Sequence, residues 1–395
     1  MIALIVLYIY MYIERTAELK LKQSLKSGKI PIVLGPRQAG KTTLVRHVVP
    51  EATYFNLDLE VDQDRLRASS HTNPVEAMNM LGVATCLVID EAQRMPETAQ
   101  FVKGWHDAHT GKNIILLGSS SLDLLDIYAE SLTGRNEKIY ITPLTFQEYL
   151  HAQDWWPKTP DPSIASHFAR QLTSSASSLA VYGSYPESVV RADKSQYLLN
   201  LSGDYLLKDV FQSGRIKSPE SIRRLLLLLS YQVGSMVSIN ELAVTLGISR
   251  ATVERYLELL EQTFVIFRLW SYATNQRKEI AKSQKIYFWD TGVRNALMND
   301  FQHMPNRSDR GSLWENWVVA EIAKQNLCLG SPWNLYFWRS RSGSEVDLLA
   351  KGNGKLLAWE IKWGKPGKNK AFTSAYATEV VYVTSENPLV DLPMS

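Results

Sequence analysis

Gly35-Pro36-Arg37-Gln38-Ala39-Gly40-Lys41-Thr42 fits the pattern G-x-x-x-x-G-K-[ST] in full. Its glycines let successive backbone N–H groups curl around phosphate oxygens, and a helix N-terminus behind them adds partial positive charge. Lys41 is expected to reach the β- and γ-phosphates and Thr42 to ligate Mg²⁺ through its hydroxyl, with Pro36, Arg37, Gln38, Ala39 and Thr43 completing the loop. The apolar run Ile30-Pro31-Ile32-Val33-Leu34 before it and Thr43-Leu44-Val45-Arg46-His47-Val48 after it give the order strand, loop, helix that such a site needs.

A second constellation is Asp90-Glu91, which ends the apolar run Cys86-Leu87-Val88-Ile89 and looks like a Walker B element. Asp90 would hold Mg²⁺ through its water shell, and Glu91 would orient and deprotonate an attacking water. Ser119 and Ser120 end the run Asn113-Ile114-Ile115-Leu116-Leu117-Gly118, a strand expected to neighbour Walker B, where a hydroxyl could meet the attacking water or the γ-phosphate. Arg135, just after Gly134, is a candidate to reach phosphate within the subunit or from a neighbour.

A third constellation lies near the C-terminus. Asn353-Gly354 favours a two-residue hairpin between Ser344–Gly352 and Lys355–Lys362. Pairing Gly352 with Lys355 sets Val346 across from Ile361, Leu348 from Trp359 and Ala350 from Leu357, one apolar face. Asp347 then lies across from Glu360 on the other face, with Lys362 beside it. Opposed like charges about 5 Å apart destabilise a sheet, and a divalent cation would reverse that sign. Glu315, on a helix beginning near Leu313-Trp314, is a plausible further ligand; the alternative is a surface hairpin whose acids pair with Lys362 and nearby arginines.

These residues need a scaffold. Glu14 to Lys26 reads as a helix closed by Ser27-Gly28, and Tyr54–Asp58 and Lys138–Thr142 read as further strands. Strands alternating with helices predict a parallel sheet covered on both faces, with ligands at the carboxyl ends of the strands. Gln153 to Ser178 is rich in Pro, Ser and Trp and reads as a linker or irregular helical region. Ser238–Leu246, the turn Gly247-Ile248-Ser249 and Arg250–Thr263 have helix-turn-helix spacing. Two extended runs, Phe264–Trp270 and Lys285–Trp289, follow around Arg277, Lys278, Lys282 and Lys285, as a basic wing would. Ser249, Arg250, Thr252 and Arg255 would then face a major groove; a module that only spaces domains is the alternative.

The composition admits all of this. The chain has 395 residues, enough for two or three domains, with 45% hydrophobic and 21% charged residues, so disorder is not expected. A net charge of +3 means that affinity for a polyanion must come from local patches. Cys86 and Cys328, the two cysteines, make neither a disulfide framework nor a zinc site, which points to a reducing cytoplasm. Residues 1–13 are almost wholly apolar but fall short of the about 20 residues that span a bilayer, so stable membrane insertion is not expected. They also lack the marks of a secretory signal, and translation is expected to begin at Met11.

GPRQAGKTTL, LVIDEAQRMPE, LLGSSS and SLTGRNEKIYITPLTFQEYL together resemble the prokaryotic AAA-type ATPases whose C-terminal half is a domain of unknown function. The similarity runs over nearly the whole chain after Met11. It implies ATP and Mg²⁺ as ligands, an α/β fold with a P-loop NTPase parallel sheet, then a winged-helix module and a restriction-endonuclease-like α/β domain. Tyr182-Gly183-Ser184-Tyr185-Pro186-Glu187 is similar to the family's Gly-Gly-x-Pro-Glu signature, with Ser184 for the second glycine, a change expected to matter little if φ stays negative there. Glu315, Asp347 and Glu360-x-Lys362 resemble the PD-(D/E)XK nucleases, in which carboxylates hold Mg²⁺ and the lysine polarises the attacking water; Val346 stands where that pattern has proline. Arg339, Arg341, Lys365, Lys368 and Lys370 would suit a nucleic-acid backbone.

The expected organisation is an apolar extension over 1–13, an ATPase domain over 14–150, a helical linker over 151–220, a winged helix over 221–300 and a nuclease-like domain over 311–395. Expected partners are nucleic acid and a further copy of the chain, with any protein partner unidentified. The rival readings are an ATP-gated metal-dependent nuclease and an ATPase switch acting on a protein partner.

Overall fold

The computed structural model describes residues 12–119, 131–158, 164–205, 218–272, 283–330, 332–340, 342–365, 370–390 and 392. The chain divides into two compact units, Met1–Thr142 and Pro143–Ser395.

In the first unit, strands β1 (Ile30–Leu34), β2 (Thr53–Asn56), β3 (Cys86–Asp90), β4 (Asn113–Gly118) and β5 (Asn136–Tyr140) form one sheet in the order β2-β3-β4-β1-β5. Every pair is parallel. A parallel sheet covered on both faces asks for continuous apolar strands, and all five residues of β1 are buried. Pro31 is tolerated in this central strand because the ladder with β4 starts only at Ile32–Leu116, while Ile30 N–H already bonds Arg135 O on the β5 side. The helices are α1 (Ala17–Lys26), α2 (Lys41–Val48), α3 (Glu60–Ser70), α4 (Pro74–Met80) and α5 (Thr98–Asp107). The first helix thus begins three residues later than the expected Glu14, and β5 runs over 136–140 rather than 138–142. Tyr12 is part of this unit, stacked on His47 at 3.8 Å with its hydroxyl on Glu18, so the extension expected over 1–13 is not wholly separate from the domain.

The second unit holds a seven-stranded sheet in the order β12-β11-β10-β9-β7-β8-β6. Its strands are β6 (Met236–Val237), β7 (Ile266–Ser271), β8 (Gln284–Phe288), β9 (Asn334–Arg339), β10 (Glu345–Gly352), β11 (Lys355–Lys362) and β12 (Val380–Thr384). The helices that matter below are α6 (Phe146–His151), α7 (Ala169–Tyr182), α8 (Pro219–Tyr231), α9 (Ile239–Leu246), α10 (Arg250–Gln262), α11 (Thr291–Met298), α12 (Arg310–Cys328) and α13 (Lys370–Tyr376).

This sheet draws strands from both of the stretches expected as modules, 221–300 and 311–395. The hairpin β7–β8, which follows the two helices α9 and α10, joins the C-terminal strands through a parallel pairing of Trp270 with Tyr336 and Ser271 with Phe337. Sequence patterns are local and gave no sign of that long-range edge contact. Trp314, Trp317, Val318 and Ile322 of α12 pack with Leu348, Ala350, Trp359 and Ile361 in one cluster. Trp338, Val346, Leu349, Ala358 and Phe372 form another. Among the described residues no helix is long and apolar enough to cross a membrane.

Candidate functional site

The phosphate loop leaves the carboxyl end of β1, between β4 and β5, where open α/β sheets bind ligands. Gly35 is dictated by space: a Cβ there would sit 1.8 Å from the carbonyl oxygen of Ile141. Gln38 and Gly40 take left-handed backbone, with φ of 62° and 98°, which curls the loop before α2 begins. Lys41 is buried and folds back over the loop, donating to the carbonyls of Gly35 (2.8 Å) and Pro36 (2.9 Å). Thr42 donates from Oγ1 to Asp90 Oδ2 at 2.9 Å. That bond joins the two halves of the site across 48 residues of sequence. Thr43, one step further along α2, is exposed.

Asp90 ends β3, paired with Asn56 of β2, and its Oδ1 accepts the N–H of Glu91 at 2.9 Å. Glu91 has φ of 53°, a left-handed conformation uncommon for a residue with a Cβ. Its Oε2 is held between Gln93 Nε2 and Ser119 Oγ, the latter at 3.2 Å, and Gln93 and Ser119 also touch at 3.3 Å. Ser119 is therefore beside Glu91, at the end of the strand that pairs with β3. Ser120 lies outside the described residues. Cys86 is core: burial pushes its thiol up to about 12, so it is not a nucleophile at neutral pH.

Arg135 is not at this site within its own subunit. It precedes β5 at the Ile30 end of β1, about 13 Å of strand away from the loop, and its guanidinium bonds the Asp107 carboxylate at 2.6 and 3.0 Å. The glycine before it suggested a phosphate-facing turn, but the turn is at the amino edge of the sheet. Two residues at the site carried no assigned role in the sequence reading. Gln93 lies two residues after Glu91. Arg15 is buried, with Nη1 on Ala39 O (2.7 Å) and Nη2 on Thr142 O (2.5 Å), partners 24 and 127 residues away that no local pattern reveals.

In the second unit the acids and lysines come together differently from the expected metal site. Lys285, buried on β8, bonds Glu315 of α12 at 3.0 Å and also pairs with Glu345 of β10. Tyr287 donates its hydroxyl to Glu315 at 2.7 Å. Lys362 reaches Asp347 at 3.1 Å and Glu360 at 3.4 Å. Among the described residues no group of three or more His, Cys, Asp or Glu side chains is placed to hold a metal ion, while Glu315, Asp347 and Glu360 all act electrostatically on Lys362. Lys285 also ceases to be a wing cation: it is an internal counterion.

The hairpin register agrees with expectation over Leu348–Trp359, Ala350–Leu357 and Gly352–Lys355. Beyond Leu348 it changes. The β10–β9 pairing slips between Val346 and Leu349, and Val346 packs with Trp338 and Leu349 instead of with Leu348 and Ala350. The irregularity re-aims Asp347, whose Oδ2 takes the Ile361 N–H at 2.7 Å. Burial and the Glu315 charge raise the Asp347 pKa to about 7, against the opposing pull of Lys362, the Ile361 N–H and Lys285. Burial works against the Lys362 ammonium, but Asp347 and Glu360 raise its pKa overall.

A buried polar network links Leu144, Phe146 and Ser184 to α12. Lys324 donates to Leu144 O (2.8 Å) and Ser184 Oγ (3.1 Å) and pairs with Glu321, which accepts the Phe146 N–H at 2.7 Å. Asp290 accepts Ser184 N–H at 2.7 Å, and a Cβ on Gly183 (φ 66°) would meet Asp290 Oδ1 at 2.0 Å. Gly183 is thus the glycine that the turn requires; Ser184 is not among the described non-glycine residues with positive φ.

Helices α9 and α10 are joined through Gly247 at φ 66°, and Ser249 caps α10 by accepting the Thr252 N–H at 3.1 Å. Ser249 and Arg250 are exposed, Thr252 and Arg255 partly so. Arg277, Lys278, Lys282, Arg341 and Lys368 lie outside the described residues, as does the side chain of Lys370. Arg339 pairs weakly with Glu345 at 4.0 Å, and Lys365 is exposed.

The loop, the Thr42–Asp90 bond and the parallel sheet define a P-loop nucleotide-binding domain, and residues 27–150 match the AAA domain family. Residues 174–303 and 310–389 match two domains of unknown function, DUF8612 and DUF4143. The chain is 30% identical over 358 residues to uncharacterized proteins of Mycobacterium bovis and Mycobacterium tuberculosis, taking in 88% of this chain and 74% of each relative, and it belongs to their family. An uncharacterized protein of Methanocaldococcus jannaschii is 28% identical over 366 residues, 87% of this chain and 76% of that one. Among solved structures, the Walker-type ATPase PABY2304 of Pyrococcus abyssi aligns with 73% of this chain and 96% of its own, at 16% identity and a TM-score of 0.47.

Proposed function

We propose that the first unit binds and hydrolyses Mg-ATP, and that the second unit engages nucleic acid under its control. The observation that carries the first half is the Thr42–Asp90 hydrogen bond at 2.9 Å beside a loop whose lysine is already turned inward. The donor set fits magnesium: a hydroxyl and a carboxylate, hard oxygen ligands, meet at the mouth of a backbone cradle. When bound, the ion supplies charge neutralisation on the β- and γ-phosphate oxygens. Thr42 and Asp90 would hold it, and the loop N–H groups and Lys41 would bind the phosphates. Glu91 would take a proton from water while the water oxygen bonds the γ-phosphorus and the β–γ bridging P–O bond breaks, releasing ADP and inorganic phosphate. Ser119 would orient Glu91. ATP hydrolysis by the full chain, lost in Lys41→Ala with ATP binding, is the test; turnover that survives the substitution would sink this reading.

Nucleic-acid engagement is favoured by the exposed, Ser249-capped start of α10, where helix-turn-helix proteins place their base contacts. A duplex-DNA mobility shift that weakens with salt and disappears in Arg250→Ala/Arg255→Ala would support it. ATP turnover with no DNA binding even at low salt would favour a switch acting on a protein partner instead.

A further inference from the structure

We propose that Arg15, outside the phosphate-loop motif, is a positioning residue that fixes the Ala39–Gly40 peptide so that the Gly40 N–H faces phosphate; this rests on the nucleotide reading above. In a trans peptide the carbonyl of one residue and the N–H of the next point in opposite directions. Arg15 Nη1 holds the Ala39 carbonyl at 2.7 Å, so the Gly40 N–H is directed to the other side of the loop. Gly40 has φ 98° and ψ 20°, and a glycine accepts either orientation of the peptide before it at little cost.

The second arm of the guanidinium explains why an arginine does this. Nη2 bonds Thr142 O at 2.5 Å, next to Ile141. Ile141 N–H bonds Leu34 O at 2.7 Å, and its carbonyl presses on the Gly35 backbone. Arg15 therefore ties the far arm of the loop, Ala39, to the strand end against which the near arm, Gly35, rests. A planar fork with fixed donor spacing spans both carbonyls; a lysine ammonium is a single point on a flexible stem. The residue is buried and makes these contacts from the segment that precedes α1. It is well placed to hold the loop.

The test uses the full chain and calorimetric titration with ATP and with ADP, for wild type, Arg15→Ala, Arg15→Lys and Lys41→Ala. Arg15→Ala should weaken both nucleotides about tenfold or more, the scale of one charge-assisted hydrogen bond. KM for ATP should rise by a similar factor with a smaller change in kcat. Arg15→Lys, which keeps one carbonyl, should fall between the two, and methylguanidinium should restore part of the affinity of Arg15→Ala. A merely structural arginine would lower the melting temperature and leave the affinity of the folded protein alone, and that result overturns the proposal. If Arg15→Ala does not fold, Arg15→Lys decides, since wild-type affinity in that variant overturns it equally. Failure of wild type to bind nucleotide, or binding by Lys41→Ala equal to wild type, would instead remove the nucleotide reading.

Discussion

The two units treat their charged residues in opposite ways. At the phosphate loop, Lys41 donates to two backbone carbonyls and Glu91 meets Gln93 and Ser119, all neutral groups. In the second unit, Glu315, Glu345, Asp347 and Glu360 are interleaved with Lys285 and Lys362, so each ammonium serves two carboxylates. Freeing a buried ion from its partner is strongly unfavourable, whereas moving a lysine off a carbonyl onto a phosphate exchanges one hydrogen bond for a stronger one. The first arrangement sets charges against neutral groups; the second sets charges against charges.

Substitutions can break that comparison. Glu91→Gln should cut ATP turnover by about 10²- to 10⁴-fold, the usual contribution of a general base, with nucleotide affinity retained, which single-turnover kinetics and calorimetry would resolve. If binding fell with turnover, Glu91 would be holding the loop instead. Lys285→Met leaves Glu315 and Glu345 without their shared cation and should lower stability by about 3–5 kcal/mol in urea titration, the range for a broken buried pair. A near-neutral result would mean that the acids are solvated and open to a ligand, which would erase the contrast between the units.

Asp347→Asn sharpens it by pH. The folded-state pKa of Asp347 is raised to about 7 from an ordinary 3.8, so the folded protein holds that proton where the unfolded chain has lost it. Stability from this group is full below about pH 4 and falls as pH rises through about 7. The asparagine variant should flatten that slope in melting curves taken from pH 4 to 8; an unchanged slope would show that another group sets it. The smallest effect is expected from Arg135→Ala, since this guanidinium bonds Asp107 at the far edge of the sheet: ATP affinity should stay at the wild-type value. A large loss would mean that Arg135 acts on a neighbouring copy.

Legibility differed between the units for a physical reason. Gly35 to Thr42 and Asp90-Glu91 are short runs in which residue type, spacing and strand-loop-helix order are all set within a few residues, and β3 and β4 proved to be neighbours as the Ser119 reading required. The turn at Asn353-Gly354 set the near part of the hairpin register equally well. The same turn could not report the slip between Val346 and Leu349, because that depends on how β10 meets β9.

Local periodicity and motif chemistry thus pointed to the five strands of the first sheet, to where the phosphate loop lies, and to Thr42 and Asp90 belonging together. Only the tertiary structure decided that the helix-turn-helix hairpin and the C-terminal strands share one sheet, that Lys285 is a counterion to Glu315 and Glu345, and that Arg15 braces Ala39 across 24 residues. A charge's partner is set by whatever packing brings within a few ångströms, and neither sequence spacing nor residue type carries that distance.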